Sequence, residues 1–489
     1  MKSISKLTMA LAFVAAVLST TNSSQSAHAL PTKTLYSFCS QPNCTDGFNP
    51  AGALVQGTDG HLYGTTDGGA KGGGTIFTIT SGGALTTLYG FCSEVNSNGA
   101  CVDGEYPAGL IQTSNGDFYG TTQQGGTYSF GFTAFGTVFK LAPGGTLTTL
   151  FDFDASDGNN PVGALVPGPD GYLYGSTWQG GGGTYGTIFK ISLSGAQTML
   201  HGFCSEMNVN GYCADGGFPA ALILASGGDF YGTTQIGGTN NNGTVFKMTA
   251  AGKLTTLYSF CAQTNCTDGA TPLAALVQGT DGAFYGTTVQ GGNGYGTVFK
   301  ITSGGILTTL HSFDNSDGAY PYAAALIQAT DGNFYGTTEE GGAYHAGTVF
   351  QMTPAGSLAK LHSFCAENIC LDGANPVEAL VQATNGDFYG TTPNGGANGL
   401  GAVFSLSIGL GPFVETQTTS GIVGAAVNIL GTDLTGATDV MFNGTSATFT
   451  VVKATEIIAT VPAGATTGFI QVGTPGGTLT SGQTFDVTP

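Results

Sequence analysis

Ten cysteines carry the most explicit chemistry in the chain, and they fall in five spaced pairs: Cys39/Cys44, Cys92/Cys101, Cys204/Cys213, Cys261/Cys266 and Cys365/Cys370. Each pair stands just before an Asp-Gly. Two thiolates could hold a metal, cycle between redox states or staple a loop. A structural zinc needs about four ligands, and no histidine accompanies any pair. A redox centre more often reads Cys-x-x-Cys and is not copied five times. Two corresponding loops, residues 154–158 (DASDG) and 314–318 (DNSDG), lack both cysteines, and no loop keeps one alone. Paired presence and paired absence predict a disulfide within each loop of an exported chain. Pairing between neighbouring units is the alternative. Neither a metal nor a cofactor is expected.

The second set of candidates is aromatic and acidic. Glycine-rich loops vary most along the chain. One holds Tyr128, Phe130, Phe132 and Phe135; another Trp178 and Tyr185; a third Tyr295; a fourth Glu339, Glu340, Tyr344 and His345. Aromatic faces beside carboxylates suit stacking on sugar rings, with polar partners for the hydroxyls. Packing between units is the competing reading for each single residue. Catalysis has less support. His201, His311 and His362 stand where other copies have Tyr36, Tyr89 and Tyr258, which marks them as packing residues. His345 has no nucleophile in a recognisable pattern, and Glu339 and Glu340 are strand neighbours that point to opposite faces.

These candidates sit on a repeat. Tyr-Gly-Thr-Thr begins at Tyr63, Tyr119, Tyr231, Tyr285, Tyr335 and Tyr389, and Tyr-Gly-Ser-Thr at Tyr174. The intervals are 56, 55, 57, 54, 50 and 54 residues, a period that signals a β-propeller or related array. Each copy reads as four short strands; in the fifth they are residues 254–260, 274–278, 283–288 and 296–302. The array opens with a lone first strand at residues 34–38 and closes at residues 402–406 with that strand missing. The N-terminus therefore completes the last unit and closes a ring, which removes exposed strand edges. The expected fold is all-β: a seven-bladed propeller of four-stranded blades, residues 30–411. Its cysteine and Gly-Gly loops share one face and its tight Asp-Gly and Ser-Gly-Gly turns the other. Seven loop aspartates, Asp46, Asp103, Asp157, Asp215, Asp268, Asp317 and Asp372, read as turn chemistry rather than calcium ligands.

Composition bounds the partners. The net charge is -19, all eleven basic residues are lysines, and charged residues make up 8%. Phosphate neutralisation needs a basic face, so nucleic acid is set aside. Residues 1–29 read as a signal peptide, with Lys2 and Lys6, a short apolar run and Ala27-His28-Ala29 as cleavage site. No later segment predicts a membrane span.

After Pro412 the period breaks, and residues 412–489 show the alternation of a small β-sandwich. Gly431-Thr432-Asp433-Leu434, Val440-Met441-Phe442-Asn443-Gly444, Ile458-Ala459-Thr460-Val461-Pro462 and Thr474-Pro475-Gly476-Gly477 resemble the IPT/TIG immunoglobulin-like domain. The repeats, with Tyr-Gly-Thr-Thr, Gly-Gly and Gly-Thr-Val-Phe-Lys (residues 296–300), resemble the bacterial GloVer tandem repeat of choice-of-anchor proteins from Thr34 to about Phe404. That resemblance implies an exported, extracellular or cell-surface protein and no particular activity. No sorting motif or hydrophobic tail is seen, so docking to the cell is expected to fall to the IPT/TIG-like segment. The function expected is non-catalytic binding or adhesion, to a glycan or another cell-surface protein, through the variable face. The alternatives are a polysaccharide-acting enzyme on that face and a structural spacer.

Overall fold

The computed structural model describes residues 32–488 apart from 70, 98, 128, 131 and 132. The proposed signal segment therefore lies outside the described residues, as do Tyr128 and Phe132. The chain is all-β, with short 3-10 turns only at Pro42–Cys44, Thr264–Cys266 and Asn368–Cys370 among the described residues.

Among the described residues, seven antiparallel sheets arise from the repeats, each with four strand positions. The fifth shows the pattern: Val277–Gln278, Phe284–Thr288, Thr297–Ile301 and Leu307–Ser312 lie side by side in that order. The outermost strand, Leu307–Ser312, comes from the next copy of the repeat. Each sheet is thus offset by one strand from the sequence unit and clips to its successor. The innermost position is the weakest: a continuous Asn159–Pro167 in the third sheet, but two residues, Val277–Gln278, in the fifth, where residues 274–278 had been expected.

The offset leaves the last sheet one strand short. Thr32–Ser37 fills it, pairing antiparallel with Ala402–Leu406. One buried cluster then joins Phe38, Leu54, Leu62 and Phe77 of the start to Ala383, Tyr389 and Val403 of the end. The blade-like sheets and this joining of ends are propeller-like.

The repeated residues explain the packing between sheets. Tyr63, Tyr174, Tyr231, Tyr285 and Tyr335 lie against Phe118, Phe230, Phe284, Phe334 and Phe388 of the following unit, at 3.9 to 4.4 Å between ring centres. Such pairs add about 0.5–1.5 kcal/mol beyond area burial. The glycine of Tyr-Gly-Thr-Thr makes room for a ring of its own sheet: a Cβ on Gly286 would lie 2.7 Å from both Leu276 Cδ2 and Phe299 Cζ.

After Leu406 come two further sheets around one core that includes Val427, Ile429, Val440, Phe442, Ile457, Ile470 and Phe485. Ala426–Leu430 and Asp439–Phe442 are two of their strands. The long last strand, Gly477–Thr488, and the short Glu415–Thr416 and Ser420–Ile422 had no alternation strong enough to read.

Candidate functional site

All five cysteine pairs form disulfides within their own loops, and no free cysteine remains. The loops are held from inside by the aspartate. Asp46 accepts the Tyr36 hydroxyl at 2.7 Å and the Ser40 N–H at 2.8 Å. Asp268 does the same with Tyr258 and Ala262. Where tyrosine is replaced, histidine keeps the bond: His201 to Asp215, His311 to Asp317 and His362 to Asp372, at 2.8, 2.8 and 3.0 Å. These histidines also set a ring edge against the phenylalanine two residues on, so they are more than packing residues. In the third unit Phe151 occupies that place. Burial pushes the Asp157 carboxyl up to about 6.

The Gly-Gly loops lie on the same side. Gly126, Gly238, Gly292 and Gly396 donate their N–H groups to carbonyls of Cys101, Cys213, Cys266 and Cys370. A second sevenfold device fixes them sideways, and the sequence reading missed it. Asn49, Tyr106, Asn160, Phe218, Thr271, Tyr320 and Asn375 all take positive φ, between 52° and 58°. Each donates its N–H to the Gly-Gly loop of the preceding unit; Phe218 to the Tyr185 carbonyl at 2.7 Å and Tyr320 to the Tyr295 carbonyl at 2.9 Å are examples. A proline follows each. Its Cδ abuts the glycine opening the preceding unit's fourth strand: a Cβ on Gly296 would meet Pro321 at 3.0 Å and the Thr288 carbonyl at 2.3 Å. Positive φ is costly outside glycine, so the surroundings must impose it. The recurring X-Pro was the available signal.

This geometry brings some sequence candidates together. Trp178, 36% exposed, lies 5.1 Å from Phe218, and Tyr185 lies 5.5 Å from the same ring. Phe218 is the residue that unites them, 40 positions beyond Trp178. Tyr295 faces Tyr320 at 6.1 Å; both Tyr185 and Tyr295 are half-buried against the core. Phe130 lies in the short Ser129–Phe130 strand paired with Thr133–Ala134. Tyr344 and His345 are exposed at a loop tip. Among the described residues no ring contact links Tyr344 to the Trp178 group. Glu339 is held through its backbone, donating to the Tyr320 carbonyl and accepting from the Asn375 side chain. Burial, then the neighbouring Glu340 charge, raises its carboxyl.

Two acids escaped the sequence reading. Glu378 lies in the innermost segment of the last unit, where the first has Gly52. Burial, and then the nearby Asp67 charge, push its carboxyl up to about 7 against the lowering effect of the Gly52 backbone. Burial pushes Asp67 itself up to about 6. Among the described residues the one grouping with metal-ligand spacing is Cys92, Cys101 and Glu105, and its two sulfurs are tied in a disulfide. No described helix is long and apolar enough to cross a membrane.

The Gloeobacter/Verrucomicrobia repeat matches this chain over residues 24–212, 206–326 and 293–448. No curated protein matches it. Among solved structures, an extracellular domain assigned to a hybrid two-component system of B. thetaiotaomicron is similar over 83% of this chain and 46% of its own length, at 8% identity and a TM-score of 0.51. The chain thus spans less than half of that domain, and at this identity the likeness is one of fold. A protein assigned as a gluconolactonase is similar over 79% of this chain and 94% of its own, at 11% identity and a TM-score of 0.41. A luciferin-regenerating enzyme is similar over 63% and 93%, at 11% identity and 0.37.

Proposed function

We propose that this chain, which belongs to the Gloeobacter/Verrucomicrobia repeat family, is an exported binding protein without catalytic activity that recognises a glycan on its disulfide-stapled face. In this reading residues 1–29 direct export, residues 30–411 form a closed seven-bladed propeller, and residues 412–489 form an IPT/TIG-like immunoglobulin sandwich. The observation that carries the ligand class is the Trp178–Phe218–Tyr185 group at the junction of the third and fourth units. It offers a partly exposed indole on rigidly held backbone, the arrangement that stacks on a pyranose ring with little ordering cost. Repeat units keep the scaffold constant while loop residues vary, which is where recognition usually resides.

A glycan array with the mature protein tests this. Binding is expected, and Trp178→Ala and Phe218→Ala should each weaken it at least tenfold without lowering the thermal midpoint by more than a few degrees. No binding, or binding indifferent to both changes, contradicts the reading.

A second reading, a polysaccharide-cleaving enzyme, draws on one observation: two carboxyls, Asp67 and Glu378, are held above the ordinary range, the second partly by the charge of the first. It would use these acids rather than Glu339 and Glu340. Reducing-sugar release abolished by Asp67→Asn and Glu378→Gln would favour it.

A further inference from the structure

The C-terminal unit grips the repeat region at a particular place. Thr384, in the last unit's tight turn, accepts the Phe413 N–H at 3.0 Å and shares a hydroxyl bond with Thr432 at 3.0 Å. Thr58, at the same turn position in the first unit, receives Lys453 on its hydroxyl at 3.2 Å and Thr455 on its carbonyl at 2.6 Å. Asn428 reaches the Ser114 carbonyl in the second unit, and Gln417 reaches Gln112. Across the sixth unit, a Cβ on Gly482 would sit 3.3 Å from Thr330.

The four units touched are the sixth and seventh on one side of the junction between chain ends, and the first and second on the other. The same turns farther away, at Ser226 and Thr280, bond only to a glutamine of the next unit among the described residues. Every other junction is crossed by the covalent chain. The closing junction is not, so its integrity rests on the paired strands and the buried cluster, against the entropy of closing a very long loop. A unit tethered to the last repeat and bonded to the first two spans that gap.

We propose that the C-terminal unit is a clasp whose partner is the propeller's own turn face, and that it holds the ring shut at its seam. The loop-bearing face then points away from it, free for ligand. The assignment does not depend on what the loop face binds.

Hydrogen exchange on the full-length protein tests it, comparing Thr32–Ser37 at the seam with Leu254–Ser259, the equivalent strand in the array. The double variant Thr432→Val, Lys453→Met is expected to speed exchange at Thr32–Ser37 about tenfold and leave Leu254–Ser259 unchanged. The converse variant is Gly60→Cys, Thr455→Cys. A Cβ on Gly60 lies 3.6 Å from Thr455 Cβ, within disulfide range. With the new disulfide formed, seam exchange should slow about tenfold; in the single variant Thr455→Cys it should not. Should the positive φ of Gly60 prevent that variant from folding, the first variant decides alone. Seam exchange unchanged in the Thr432→Val, Lys453→Met protein, or exchange raised equally in both strands, overturns the proposal.

Discussion

The backbone N–H of Thr384, in the last repeat, donates to the side-chain Oε1 of Gln56, in the first, at 2.9 Å. The same bond runs from Thr58 to Gln112, Ser226 to Gln278, Thr280 to Gln328 and Thr330 to Gln382, at 2.8 to 3.0 Å. The junction between chain ends is therefore built from the same chemistry as the internal ones. The two exceptions are consistent: the third unit has Pro167 where glutamine would accept from Ser114, and its own donor position is Pro169, which has no N–H and faces Leu224 in the fourth.

Burial makes this bond matter most at the seam. Thr384 is fully buried, whereas Thr280 is exposed. A buried donor without a partner costs about 1–3 kcal/mol, while water replaces the partner of an exposed one. Gln56→Leu is expected to lower unfolding stability by that amount, and Gln328→Leu by less than about 1 kcal/mol. Chemical denaturation of the two variants side by side checks the difference.

The third unit carries a defect that can be repaired. Its loop, DASDG, has the length of the sixth unit's DNSDG, where His311 bonds Asp317. Phe151→His should give Asp157 the same partner, return its carboxyl from about 6 toward the ordinary range, and stabilise the protein by about 0.5–1.5 kcal/mol at pH 7. Carboxyl titration by NMR and the denaturation midpoint report the two effects.

Glu378 and Asp67 set a pH dependence. Glu378 rises from 4.5 to about 7 and Asp67 from 3.8 to about 6 on folding. A carboxyl whose folded value lies above its unfolded one binds its proton more tightly in the native state. Its contribution is therefore fully present below about pH 4 and is lost as pH rises to about 7. Thermal midpoints should fall across this window, and Glu378→Gln should flatten the fall. A midpoint that rises from pH 5 to 8 in the wild type, unaltered by Glu378→Gln, would refute the assignment.

Much of the architecture was written in the repeat. Phe284–Thr288 and Thr297–Ile301 match the expected strands within two residues, because their period-two pattern and bounding glycines are local. The disulfide pairing was legible for the same reason: two units without cysteines acted as controls. The inner strand was overread, since the apolar run at residues 274–278 packs against the neighbouring unit rather than pairing along its length. The proposed binding group was half legible. Trp178 and Tyr185 stand out by type, but Phe218, Asp67 and Glu378 acquire their significance from contacts between units. No local pattern announces them.

The N-terminal strand is as much a part of the ring as any internal strand. Phe38 and Phe260 hold equivalent places; both are fully buried, and they meet Phe77 and Phe299 edge-on at 5.2 and 5.1 Å. The most direct measurement compares the unfolding free energies of Phe38→Ala and Phe260→Ala. Matching losses of about 3–5 kcal/mol are expected, the usual range for emptying a buried phenylalanine site. A loss below about 1 kcal/mol for Phe38→Ala beside a full loss for Phe260→Ala would show that the ends do not share a sheet, and would contradict the closed ring.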